Sequence, residues 1–159
     1  MIGLAGPAPT IRTAVPADLP ELRRVFRAAS LSNPGDAPLL LAHPEFLDFT
    51  GDGVAAGRTR VAEGDAQGVG RILGFATVAD VDAGDGELED LFVDPQWHRR
   101  GIADRLLRDA VEALRESGRR RLWVVGNPQA LAFYRAVGFT GGESVATELG
   151  VGLRLHLDV

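Results

Sequence analysis

A short basic loop, His98-Arg99-Arg100-Gly101, lies between a run that reads as a strand and a run that reads as a helix. The strand is Glu87 to Val93, where Leu88, Leu91, Phe92 and Val93 supply apolar and β-branched character before Asp94-Pro95 stops the ladder. After the loop, apolar residues recur at Ile102, Leu106, Ala110 and Leu114, widened by Ala103, Leu107 and Val111, which predicts a helix to Ser117 with Gly118 just past its end. The start of a helix leaves backbone N–H groups unpaired and carries a partial positive charge, so a glycine turn feeding one accepts an anion. Arg99 and Arg100 add full charges, and the expected ligand is a phosphate or pyrophosphate. A solvated basic cap on a core helix would account for the same residues.

Other groups could handle protons. Glu87 and Glu89 should project from one face of the strand, because side chains alternate with period two. Partial burial would raise either carboxylate toward the range useful for a general base. With Asp80, Asp82, Asp85 and Asp90 they make one hairpin end acidic, either as a field for a cationic amine or as a solvated turn. Tyr134, the one tyrosine, falls on an apolar stripe with Ala130, Leu131 and Val137. By spacing alone it reads as a core residue whose hydroxyl finds a backbone partner.

Two patterns carry a resemblance. Read as His98-x-x-Gly101-x-Ala103 after Val93-x-Pro95, the loop resembles the acetyl-CoA signature of the GNAT superfamily of N-acetyltransferases, usually Gln/Arg-x-x-Gly-x-Gly/Ala, with His98 departing from its first position. A second match, Asn127-x-x-Ala130-x-x-Phe133-Tyr134-x-x-x-Gly138-Phe139, follows in order, so that the resemblance covers nearly the whole chain. It implies acetyl-CoA as co-substrate and no metal. Its phosphates would sit on amides of Arg99, Arg100, Gly101, Ile102, Ala103 and Asp104 beside His98, and its pantetheine along Leu91, Phe92 and Val93. In the family a bulge splays that strand from its neighbour, and a strand amide polarises the thioester. Asn127 is where the family often contacts the cofactor, although an N-cap role explains it equally. Tyr134 stands at the family's general acid, and Glu87 aligns with its base, with Glu89 as the alternative. The implied reaction is direct acetyl transfer to a primary amine of a small molecule or peptide; the rival is a non-catalytic acyl-CoA sensor.

The chain has 159 residues, enough for one core. Without cysteine there is no disulfide, thiolate metal site or Cys nucleophile. All 17 basic residues are Arg, which with abundant Ala and Gly suggests a GC-rich bacterial genome and rules out self-acetylation on lysine. A net charge of −5 argues against a nucleic-acid partner, and no apolar run approaches a membrane span or signal segment, so a cytoplasmic location is expected. A sheet-mediated homodimer is open to the short terminal strands.

The elements that must position these groups follow in order. A loose tail is expected over Met1 to Pro9, a strand over Thr10 to Ala14, and a helix from an Asp18 N-cap to about Ser30 with Leu22, Val25, Phe26 and Ala29 inward. A short helix is expected around Leu39-Leu40-Leu41, where the resemblance implies an acyl-acceptor pocket with His43, Phe46 and Phe49 as candidates, while by themselves they read as two core aromatics and a surface His. Gly51-Asp52-Gly53 reads as a turn, Thr59 to Val61 as a short strand, Ala62 to Gly70 as a polar loop and Arg71 to Val81 as a long strand. Leu122 to Gly126 should be a buried strand parallel to its predecessor, since a helix joins them. Asn127-Pro128 starts the last helix, closed by Gly138, and strands from Phe139 and through Leu153 to Val159 finish the chain. The fold class is α/β, a mixed sheet with helices on both faces, for which the resemblance implies a mostly antiparallel, six- or seven-stranded GNAT-like sheet with a central βαβ coenzyme A site.

Overall fold

The computed structural model describes residues 8–66, 69–82 and 84–159. Most of the expected tail, and Gln67 and Gly68 of the 62–70 segment, lie outside the described residues. The strands are β1 (Thr10–Thr13), β2 (Thr59–Ala66), β3 (Val69–Asp80), β4 (Asp85–Val93), β5 (Arg121–Gly126), β6 (Thr140–Thr147) and β7 (Gly150–Asp158). They form one seven-stranded sheet in the order β1-β2-β3-β4-β5-β7-β6. Every pairing is antiparallel except that of β4 with β5, which helix α4 (Ile102–Glu116) connects.

Helices cover both faces because each has one apolar stripe to bury. On one face, Ile102, Leu106, Leu107, Val111 and Leu114 of α4 close over Leu73, Leu88, Val93, Leu122 and Val124. On the other, Leu22 and Val25 of α1 (Leu19–Leu31) meet Val61, Ile72 and Phe75. The short helices α2 (Ala37–Ala42) and α3 (Asp52–Ala55) follow α1, and α5 (Leu131–Val137) precedes β6. No helix among the described residues is long and apolar enough to cross a membrane.

Several expectations change. The polar segment from Ala62 belongs to β2 and β3, which pair from Thr59↔Thr77 to Ala66↔Val69. Backbone pairing fixes those strands whatever their outward side chains, and the edge is closed by Arg12 donating to Glu63 at 2.7 Å. The Gly51-Asp52-Gly53 turn opens α3, with Gly51 at φ 80°. Asp18 does not cap α1 with its side chain; its carboxylate accepts from Val15 N–H at 2.8 Å and pairs with Arg12. The region after α1 becomes α2 and a 3-10 turn at Pro44–Leu47, because Pro44 interrupts the helical run.

Candidate functional site

The parallel pairing of β4 with β5 is only four residues long, from Asp85↔Arg121 to Leu88↔Val124. Immediately beyond it β4 bulges. Thr77 faces Asp90 while Val78 faces Leu88, so Glu89 is an extra residue, and an extra residue increases local twist and bends its strand. The strands then part, and from Glu89 to Val93 the side of β4 toward β5 has no ladder partner among the described residues. A cleft of about 850 Å³ opens there, lined by Leu91, Phe92, Val93, His98, Val125 and Asn127 among others. Five of the predicted binding residues are thus brought to one cavity.

The bulge also corrects the placement of the carboxylates. Leu88 packs on the α4 face, and so does Leu91, three residues on, while Phe92 packs on the α1 face. Alternation has slipped by one, so Glu87 and Glu89 are not a matched pair on one face. Glu87 lies opposite Gly86, whose Cβ would meet Leu114 of α4, and its register partner is Trp123. Glu89 is held by Arg58 at 2.9 Å. The residue that joins Glu87 on the α1 face is Asp90, beside Phe92. Burial pushes the Asp90 carboxyl above its ordinary value and the charge of Glu89 adds to this, while Thr77 and Arg58 pull the other way. Sequence reading counted Asp90 only among the acids of the hairpin end, because no local pattern announces a one-residue slip. None of these three carboxylates is among the residues lining the large cleft.

At the other end of β4 the chain is pinned before it enters the basic loop. Asp94, 3% exposed, accepts from Gln96 N–H at 3.0 Å and from Arg24 of α1 at 2.8 Å. Burial alone would raise this carboxyl, but the Arg24 guanidinium and the Gln96 amide together hold it below its ordinary value. Arg24 also donates to the Ile72 carbonyl at 3.1 Å and to Glu21 at 2.6 Å, tying α1, β3 and the end of β4 together.

The loop itself is poised for an anion. Arg99 has φ 63°, the one non-glycine residue with positive φ among those described, and Gly101 follows at φ 77°. Such backbone persists where the surroundings hold it. Among the described residues, the amides of Arg99, Arg100 and Gly101 find no protein acceptor, and those of Ile102, Ala103 and Asp104 are the free donors of the first turn of α4. Gly101 supplies no side-chain cap. Arg100 lies over the Trp97 ring at 4.8 Å, Asp104 pairs with Arg108, and His98 leads into the cleft. Six successive open N–H groups and two exposed guanidiniums suit a phosphate or pyrophosphate.

Behind the cleft stands Tyr134. Its ring packs edge-on against Phe133 and Phe139, each at 5.3 Å, and against cleft-lining Gly126, where a Cβ would come within 2.9 Å of the ring. The ring is core, as its spacing implied. The hydroxyl, however, has no hydrogen-bond partner among the described residues, and burial pushes it up to about 12. It is therefore a protonated donor without a protein acceptor. Asn127 accepts from Ala130 N–H at 2.9 Å as the cap of the 3-10 turn Pro128–Ala130, so the capping role is realised within the cleft wall. Of the pocket candidates, Phe46 lines the cleft. His43 is exposed and stacked on Phe46, and Phe49 is core between Phe26 and Phe75.

Comparison with known proteins bears on this geometry. The model of the acetyltransferase (GNAT) family matches residues 22–139. An uncharacterized N-acetyltransferase of Methanocaldococcus jannaschii is 42% identical over 62 residues, which are 37% of this chain and 27% of that protein. The PaiA N-acetyltransferase of Thermoplasma acidophilum, solved with coenzyme A, superposes with a TM-score of 0.72 at 15% identity, over 96% of this chain and all of that one. Ard1 of Thermoplasma volcanium gives 0.69 at 19% identity, over 96% and 99%. N-acetylglutamate synthase of Neisseria gonorrhoeae, solved with coenzyme A and L-arginine, gives 0.68 at 20% identity over 96% of this chain and 33% of that one. At these identities the superpositions speak for the fold.

Proposed function

Because the chain belongs to the GNAT family of acetyltransferases, we propose that it moves an acetyl group from acetyl-CoA to a primary amine by direct transfer within one ternary complex. The observation that carries this reading is the splay of β4 from β5 ending at a run of open amides. Acetyl-CoA supplies the activated acyl group as a thioester. It fits the groups present: the amides from Arg99 to Asp104, with Arg99 and Arg100, suit its phosphates, and the unpaired side of β4 at Leu91 to Val93 suits the amides of its pantetheine.

The remaining steps fall to side chains. A β4 amide bordering the cleft polarises the carbonyl under attack. Glu87, the family-aligned base, takes the ammonium proton through water, since it does not itself line the cleft, with Asp90 on the same face as the second carboxylate able to do so. The Tyr134 hydroxyl donates toward the departing sulfur. Asn127 borders the same wall and contacts the cofactor with the part of its amide that the cap leaves free.

Calorimetric titration should give one-site binding of acetyl-CoA at least about tenfold tighter than adenosine diphosphate, because the pantetheine arm adds contacts along β4. Absence of binding would reduce the loop to a helix cap. Binding without thiol release from any amine would instead favour a sensor.

The carboxylates should separate by pH. Glu87→Gln should lower turnover by about tenfold to a hundredfold near neutrality. The loss should shrink as rising pH deprotonates the amine without help. For Asp90 the sign concerns stability. A carboxyl whose folded value is raised is no burden while protonated, and its contribution is lost as pH rises through that value. Asp90→Asn should therefore raise the melting temperature at neutral pH, with the gain vanishing below the ordinary aspartate range. An unchanged pH–rate profile in both variants would remove both residues from the mechanism.

A further inference from the structure

The walls of the cleft facing β4 restrict what can enter it. One comes from α1 and the segment after it, through Asn33, Asp36, Leu40 and Phe46; the other is the turn between β6 and β7, through Glu148 and Leu149. The chain carries 17 arginines, yet none lines this cavity, whose ionisable side chains are Asp36, Glu148 and His98. Of the guanidiniums on the elements that form its walls, Arg24 is engaged with Asp94 and Glu21, and Arg154 lies over Trp123 at 4.2 Å. A carboxylate on the acceptor would therefore lose water without meeting a guanidinium of the lining and would face two further carboxylates, whereas an ammonium would be attracted.

Asp36 is tied into its wall, while Glu148 stands exposed at the turn of its hairpin. Asp36 accepts from the Asn33 side chain at 3.0 Å, and the same amide reaches Gln129 across the cleft at 3.3 Å. Glu148 sits at a turn braced by Thr147, whose hydroxyl donates to Gly150 O at 2.7 Å and accepts from Leu149 N–H at 3.2 Å. Among the described residues Glu148 has no ion-pair partner. Around it the rim is apolar, with Leu149 42% and Val151 60% exposed.

We propose that the acceptor is a diamine with an apolar body, one amine reacting while the other lies against Glu148 and Asp36, and that amines bearing a far-end carboxylate are rejected. This rests on the acetyl-transfer reading above. In the reaction the thioester C–S bond breaks and an amide C–N bond forms; the ammonium gives up two protons, one to the carboxylate base and on to solvent, the other balancing the thiol released.

Three amines of one length separate the cases: α,ω-diaminooctane, octylamine and ω-aminooctanoate. Thiol release can be followed with a thiol-reactive dye, since the protein has no cysteine. With acetyl-CoA saturating, kcat/KM should favour the diamine over the aminooctanoate by about a hundredfold, with octylamine between. The preference for diamine over octylamine should fall by about fivefold in Glu148→Gln and also shrink with added salt. Equal or better use of the aminooctanoate, or an unaltered preference in Glu148→Gln, would overturn the proposal and leave acetyl transfer standing. No thiol release from these amines or from a broader amine panel, despite acetyl-CoA binding, would overturn both.

Discussion

Tyr134→Phe should lower kcat by about a hundredfold or more while leaving acetyl-CoA affinity within about twofold. The ring keeps its packing against Phe133, Phe139 and Gly126, and the lost hydroxyl breaks no hydrogen bond among the described residues, so the melting temperature should stay close to that of the parent. The phenol is pushed up to about 12 by burial, which keeps it protonated at any working pH. An alkyl thiol titrates near about 8.5, so complete proton transfer from the phenol to a thiolate would be uphill. The hydroxyl therefore acts as a hydrogen-bond donor to charge developing on sulfur, with the proton following late. A Phe variant with parental kcat under conditions where chemistry limits turnover would assign Tyr134 to the core alone.

Arg24→Ala should cost about 2–3 kcal/mol of stability, because it strands the Asp94 carboxylate, 3% exposed, and leaves the Ile72 carbonyl without its donor. For a chain of this size that is roughly 5–10 °C of melting temperature. The loss should depend on pH. Asp94 is held below its ordinary value, so its contribution is present above the unfolded aspartate range and disappears as pH falls through the folded value. Parent and variant curves should converge in acid. Adding Asp94→Asn to Arg24→Ala should recover part of the loss, since an amide tolerates burial better than an unpaired charge. Acetyl-CoA affinity should weaken as well, because Asp94 fixes the turn at Pro95–Trp97 that delivers the basic loop. A variant as stable as the parent would mean the pair is compensated by water.

Some of this molecule is legible along the chain. The α4 stripe is a strong local signal, because one helix face is buried and its repeat is set by backbone geometry. The glycine before α4 and the arginines beside it predict an anion site from the first turn alone, and the described amides there are open. The alternation of Leu153, Leu155 and Leu157 likewise announces β7, whose one face is core. By contrast β2 and the start of β3 carry polar residues and glycine. Their strand character comes from hydrogen bonds to partners distant in sequence, which leave no mark on composition.

What the sequence by itself determined is therefore the set of local elements and the chemistry each carries: a basic loop at a helix start, a lone tyrosine on an apolar stripe, carboxylates on the strand before the loop. The tertiary structure alone decided which groups share a face or a cavity. The extra residue at Glu89 turns Asp90 toward Glu87 and opens β4 from β5, Arg24 reaches across from α1 to fix Asp94, and the β6–β7 turn sets Glu148 in the wall facing β4. Periodicity fixes side-chain direction only while the ladder keeps register, and register is set by pairing between strands that local sequence does not encode.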